Sequence, residues 1–173
     1  MQDVSDWLDE HMATLKPLWA TRLPCIGSDC PDADGLFVPR QVMLRVTPNL
    51  FWSGMVDPSE RIEMTIDSHP HGQTIEAIRF NSERRGSNRD ETRLRGFDAD
   101  SVLGDPESTG AMVMFAFEPA TWGGQASCRV WMCETAAEED RAEDRIGPAD
   151  PHFGGALWPN IFERLDWPPR SYE

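Results

Sequence analysis

Lysine is almost missing from this 173-residue sequence: Lys16 is the only one, against fifteen arginines. A nuclease site of the common acid–acid–lysine type needs a lysine on a strand, and Lys16 lies in a segment patterned as a helix, so the chain is not read as a nuclease by itself. Long apolar runs are lacking too. The longest, Ala111 to Phe117, is far too short to span a bilayer. The first residues, MQDVSDWLDEH, are acidic and polar rather than a secretory signal. With no such signal, the four cysteines read as reduced thiols, and the expected location is the cytoplasm. Neither a glycine-rich phosphate loop nor a zinc-protease helix motif occurs. Net positive charge is also lacking: the formal charge is −14 and the pI about 4.6. That balance argues against a general nucleic-acid coat or a binder of acidic membranes, while leaving room for a specific reader with a local basic patch.

Such a patch is present. Six of the fifteen arginines (Arg79, Arg84, Arg85, Arg89, Arg93 and Arg95) fall within the nineteen residues RFNSERRGSNRDETRLRGF, from Arg79 to Phe97. Guanidinium groups are planar forks suited to phosphates, carboxylates and the O6/N7 edge of guanine. Gly86, Ser87 and Asn88 break the segment into a projecting loop, after which RDETRLR resumes as a strand. Asp90 and Glu91 interleave with Arg89 and Arg93. A carboxylate accepts from cytosine N4 and threonine serves either base, so this mixture offers every contact needed for G·C pairs. The bland alternative is a solvated face of internal Arg–Asp/Glu pairs.

Around the patch, Val4, Trp7, Leu8, Met12, Leu15 and Leu18 recur at three- and four-residue spacing and predict a helix over 3–18, stopped or kinked at Pro17. A breaker-rich loop follows from Leu23 to Gly35. Seven β-like runs come next: Leu36–Val38, Gln41–Val46, Arg61–Asp67, Thr74–Phe80, Arg93–Phe97, Met112–Phe117 and Cys128–Cys133. Seven short strands at this spacing imply a barrel or sandwich. Thr135 and Glu138 form a capping box that starts a helix ending near Arg145, before Gly147 and Pro148. Residues 148–173 read as a strap and then a linker, which places the main domain at 1–147.

Other motifs carry less. Cys25/Cys30 and Cys128/Cys133 are spaced too loosely for a zinc knuckle, and the second pair would face opposite sides of a strand. Asp29, Asp32 and Asp34 before Gly35 resemble half a calcium loop without its bidentate glutamate. His69 and His71 read as a surface turn.

The stretch from Phe80 to Gly147 resembles the amino-terminal effector-binding domain of EcoRII-type restriction endonucleases. The resemblance rests on FNSERRGSNRDETR, DPESTGA (Asp105 to Ala111), Gly123-Gly124, VWMC and TAAEED…RIG, with GLFVP (Gly35 to Pro39) upstream. It implies a mainly β fold with flanking helices, a seven-stranded B3-like DNA-binding pseudobarrel. Two arms, Leu23–Gly35 and Arg84–Arg95, would grip the major groove of double-stranded DNA containing 5′-CCWGG (W is A or T). Cutting, and any Mg²⁺, would belong to a separate catalytic domain of the same polypeptide, so this domain is expected to be a non-enzymatic monomer without a cofactor. Arg89, Glu91 and Arg93 match the family's recognition arm directly. Thr92 and Ser87 each replace a basic residue, and Asp32 replaces a histidine. On this reading Arg89 and Arg93 donate to guanines, while Asp90 or Glu91 accepts from cytosine or orients an arginine. Arg84, Arg85 and Arg95 would hold phosphates, Asp32 or Asp34 would reach bases from the other arm, and Asn88 and Thr92 complete the set. The rival readings are a single-stranded nucleic-acid binder, which would want more exposed aromatics, and a protein-interaction module.

Overall fold

The computed structural model describes residues 2–24, 35–52, 54–81, 90–120, 124–147 and 156–158. In chain order these form α1 (Val4–Ala13), β1 (Leu18–Arg22), β2 (Leu36–Val38), α2 (Arg40–Val46), α3 (Asn49–Trp52), β3 (Ser59–Ile66), β4 (His71–Phe80), β5 (Glu91–Arg95), β6 (Met112–Glu118), β7 (Ala126–Met132), α4 (Ala136–Ile146) and β8 (Ala156–Trp158). All eight strands join one sheet in the order β2-β5-β4-β3-β7-β6-β1-β8. Every pairing is antiparallel except β3 with β7.

The sheet curls. Trp19 of β1 and Leu36 and Val38 of β2, near its two ends, belong to one buried cluster with inward residues of β3 to β7. Strands so far apart in the order share a core only if the sheet bends into a half-barrel, as twist and coiling allow. Stacked rings (Trp19, Phe115 and Phe117, with centroids 5.6 and 5.7 Å apart) line the interior. Val42, Met43, Val46 and Leu50 bring α2 and α3 into the same cluster from the concave side.

A second cluster covers part of the convex face. Val4, Trp7 and Leu8 of α1 and Ala142 and Ile146 of α4 pack on Leu18, Met112, Met114 and Trp131. Strand β6 is therefore buried on both faces, which explains its unbroken apolar run. Strand β3 alternates instead, with Ile62, Met64 and Ile66 buried and Arg61, Glu63 and Thr65 exposed.

The expected curled sheet is present and holds six of the seven expected runs; β1 and β8 bring it to eight strands, and the reading of the sequence differs from it in two places. Gln41–Val46, expected as a strand, lies in helix α2, where Val42, Met43 and Val46 share a buried face at helical spacing. Pro39 enters it from extended backbone, and its carbonyl accepts from the amides of Val42 and Met43. Conversely, the first helix stops at Ala13 rather than running to Leu18. Pro17 disfavours helical backbone at Lys16, and Leu18 opens β1. Leu15, which extended the helical period in sequence, is exposed in a left-handed conformation. Helix α4 begins at its expected cap: Thr135 accepts from the Glu138 amide at 3.2 Å, and it ends against Gly147. Beyond it, β8 pairs with β1 at the sheet edge.

Candidate nucleic-acid interface

Strands β4 and β5 carry the described arginines of the segment, Arg79 on β4 and Arg93 and Arg95 on β5. The side chains of β5 alternate: Thr92 and Leu94 point inward, while Glu91, Arg93 and Arg95 share the outer face. Strand β2 supplies Phe37 opposite Arg93, whose guanidinium lies 5.9 Å from the ring centroid. Arg93 donates to the Gly35 carbonyl at 2.9 Å and to Glu91 at 3.3 Å. Arg95 donates to Glu76 of the neighbouring β4 at 2.6 Å and lies over Phe80. Among the described residues, no helix of the second cluster reaches this part of the convex face.

The β2–β5 pairing sets where the two expected arms meet the sheet. Leu36 pairs with Leu94 and Val38 with Thr92. The amino-terminal arm therefore rejoins the sheet at Gly35, beside Leu94 and Arg95, and the carboxy-terminal arm rejoins it at Asp90. These two roots sit at opposite ends of β5, about 17 Å apart at a rise of ~3.4 Å per residue. Gly35 has no substitute at its root: φ is +104°, and an added Cβ would lie 2.4 Å from the Leu94 carbonyl oxygen. At its other end the same arm leaves from Leu23, which exchanges backbone hydrogen bonds with Gly110 and Ala111 of the DPESTGA turn.

The base of the carboxy-terminal arm is a charged cluster. Arg79 donates from Nε to Asp90 Oδ1 at 2.9 Å and from Nη2 to Oδ2 at 3.1 Å. Arg40 adds a third bond to Asp90 at 3.2 Å. Both guanidinium carbons lie over Phe51, at 5.0 and 4.8 Å from its centroid. The hydrogen bonds from Arg79 and, less strongly, Arg40 hold the Asp90 carboxyl below its usual range, against the opposing push of burial.

Of the expected site residues, the structure brings Glu91, Arg93 and Arg95 together on one surface and sets Asp90 beside them at the arm's root. Thr92 differs from expectation. It is 2% exposed and its hydroxyl donates to the Val38 carbonyl at 2.7 Å, so in this structure it fastens β2 to β5 and offers nothing to a base. The inward parity of β5 is the reason. Asp32, Asp34, Arg84, Arg85, Asn88 and Arg89 lie outside the described residues. Sequence reasoning missed Arg40, fifty positions from its partner Asp90. Its only signal was its place directly after GLFVP.

Among the described residues no group of three or more His, Cys, Asp or Glu is placed to hold a metal. Cys128 is buried in the larger core and Cys133 in the smaller one, on opposite sides as their spacing implied. Burial pushes both thiols up, Cys133 to about 12, away from thiolate chemistry. Cys25 and Cys30 lie outside the described residues. His69 contacts Glu134 at 2.5 Å and His71 contacts Asp98 at 3.0 Å, so both turn histidines join neighbouring segments. No helix among the described residues is long and apolar enough to cross a membrane.

Comparison with known proteins agrees with the resemblance. The type II restriction enzyme EcoRII of Escherichia coli is 29% identical over 126 residues, which cover 71% of this chain. The chain spans about 30% of that enzyme's length. The UbaLAI restriction endonuclease B3 domain, solved with cognate DNA, superposes with a TM-score of 0.49 at 14% identity, covering 89% of this chain and 96% of that one. The family described as restriction endonuclease EcoRII, N-terminal, matches residues 23–159, which take in both arms and the sheet from β2 through β8. The chain belongs to that family.

Proposed function

We propose that this chain is the DNA-binding effector domain of a type II restriction endonuclease, and that it reads duplex 5′-CCWGG through two major-groove arms. The observation that carries the reading is the placing of the arm roots at the two ends of β5, with Arg93 and Arg95 on the outer face between them. A root spacing of about 17 Å straddles a major groove roughly 12 Å wide. Arg89 and Arg93 donate to guanine edges, and Glu91 accepts from cytosine or steadies Arg93, which it already meets at 3.3 Å. Arg84, Arg85 and Arg95 hold phosphates, Asn88 lies among them, and Asp32 and Asp34 approach from the opposite arm. The chain's net charge of −14 repels DNA that the arms do not recognise.

Cleavage, with its Mg²⁺, falls to a catalytic domain of the same polypeptide in the cytoplasm. The effector domain binds as a monomer and needs no cofactor.

A gel-shift titration with CCWGG and scrambled duplexes at two salt concentrations tests this. Preferential binding of CCWGG is expected, weakening with salt at a log–log slope of about −3 for three phosphate contacts. Equal binding of both duplexes removes sequence reading. Preference for the single strand, or no binding at low salt, favours one of the two rival classes.

A further inference from the structure

We infer that Asp90 is a positioning residue, which with Arg79 and Arg40 closes the base of the carboxy-terminal arm, and that Arg79 serves this clamp rather than the DNA. The inference rests on the DNA-binding reading above and departs from the expectation that Asp90 could read cytosine itself.

The register sets the clamp. Phe80 and Glu91 are the last β4–β5 pair, so Asn81 and Asp90 are the next residues outward, one on each side of segment 82–89. Both are tied down. Asn81 Oδ1 accepts from the Asp57 amide at 2.8 Å, and Asp57 Oδ1 accepts from the Asn81 amide at 3.1 Å. The Asn81 side chain also donates to the Met55 carbonyl at 3.1 Å. On the other side, Asp90 receives the paired bonds of Arg79 and the single bond of Arg40.

Arg79 is committed elsewhere as well. Its Nη1 donates to the carbonyls of Leu50 and Phe51 in α3, at 3.3 and 3.4 Å. Four of its five N–H groups are thus engaged, which leaves no second pair of donors for a bidentate phosphate contact. For Asp90 to leave and read a base, two arginines would lose their shared carboxylate inside a partly desolvated cluster. The arrangement therefore fixes both ends of the arm before DNA arrives, which reduces the ordering cost of binding.

Two readouts test this. The first needs no DNA: trypsin cleavage after Arg84, Arg85 and Arg89 in the free protein. Asp90→Ala and Arg79→Ala should each speed it, with global unfolding little changed. The second is a panel of duplexes, each altered at one base pair. Asp90→Ala and Arg79→Ala should each weaken CCWGG binding about tenfold. The double variant should be no weaker than either single one, and the relative ranking of the panel should stay as in wild type. Discrimination lost at one base pair in Asp90→Ala alone, or additive losses in the double variant, would overturn the clamp. If Asp90→Ala does not fold, Asp90→Asn and Arg40→Gln give the same comparison in milder form. A wild-type protein without preference for CCWGG sinks the DNA-binding reading instead, and the protease result still decides whether the clamp exists.

Discussion

The two halves of the sheet use similar bidentate pairs to opposite ends. Over β6, β7 and β1 the convex face is covered by α1 and α4, and a bidentate Arg129–Asp67 pair sits at the edge of that cover. Over β2, β5 and β4 no helix among the described residues covers the convex face, and the bidentate Arg79–Asp90 pair lies on the concave side against α3, where segment 82–89 leaves the sheet. Burial is reversed between the two pairs. Asp67 is 13% exposed and its arginine 52%, whereas Asp90 is 47% exposed and its arginine 14%. In the first pair the buried carboxylate receives the indole N–H of Trp7 at 2.8 Å, so it fastens a helix to the sheet. In the second the buried guanidinium caps α3, and the carboxylate stands where the chain leaves the sheet. The same ion pair builds a wall in one place and a hinge-post in the other, according to which partner is inside.

The sharpest break in that contrast is Asp67→Ala. It strands the Trp7 N–H in the core and leaves Arg129 unpaired, so unfolding in urea should show a loss of about 3 kcal/mol. CCWGG affinity of the folded fraction should not move. This pair also carries a pH signature. Burial pushes the Asp67 carboxyl up, but hydrogen bonds from Arg129 and Trp7 outweigh it and hold it below its ordinary 3.8. A carboxyl more acidic when folded contributes stability that is present above its unfolded value and lost as pH falls through the folded one. Urea midpoints should therefore fall below about pH 4 in wild type, and less steeply in Asp67→Asn.

On the half that carries the arms, Gly35→Ala should cost about 2 kcal/mol, because its φ of +104° is strained for alanine and the Leu94 carbonyl blocks the methyl. Unlike Asp67→Ala it should also weaken duplex binding, since it unseats β2 beside Arg93. Arg89→Ala is expected to remove about 2 kcal/mol of preference for CCWGG over scrambled duplex, with residual non-specific binding and unfolding unchanged. Tight wild-type binding by this variant would reassign the guanine contact. The smallest effect belongs back on the covered half. Thr135→Ala removes the cap of α4 and should lower stability by about 1 kcal/mol without touching DNA affinity.

Features built from neighbours in the chain are legible in the sequence alone. The capping box at Thr135 needs only residues three apart, and the alternation in Ile62, Met64 and Ile66 is a property of one strand. The errors fall where one pattern serves two structures. Val42, Met43 and Val46 fit a short apolar strand or a helix face, and only contact with the concave core selects the helix. Leu15 and Leu18 continue a helical period that Pro17 and the β1–β6 pairing cut short. In the site, charge pattern picks out segment 79–97 but not the role of each charge. Glu91 and Asp90 are adjacent carboxylates in sequence. One is presented on the outer strand face and the other is held by Arg79 and Arg40.

By itself, then, the sequence determined a basic arginine segment in an acidic chain, a set of short strands with two flanking helices, and the motifs of its family. Those depend on composition and local period, which the chain carries wherever it goes. Only the tertiary structure decided that Gly35 and Asp90 stand at opposite ends of β5, that Thr92 turns inward, and that Arg40 meets a carboxylate fifty residues away. Strand register and sheet curvature set these relations, and both arise from packing a shared core that no single segment encodes.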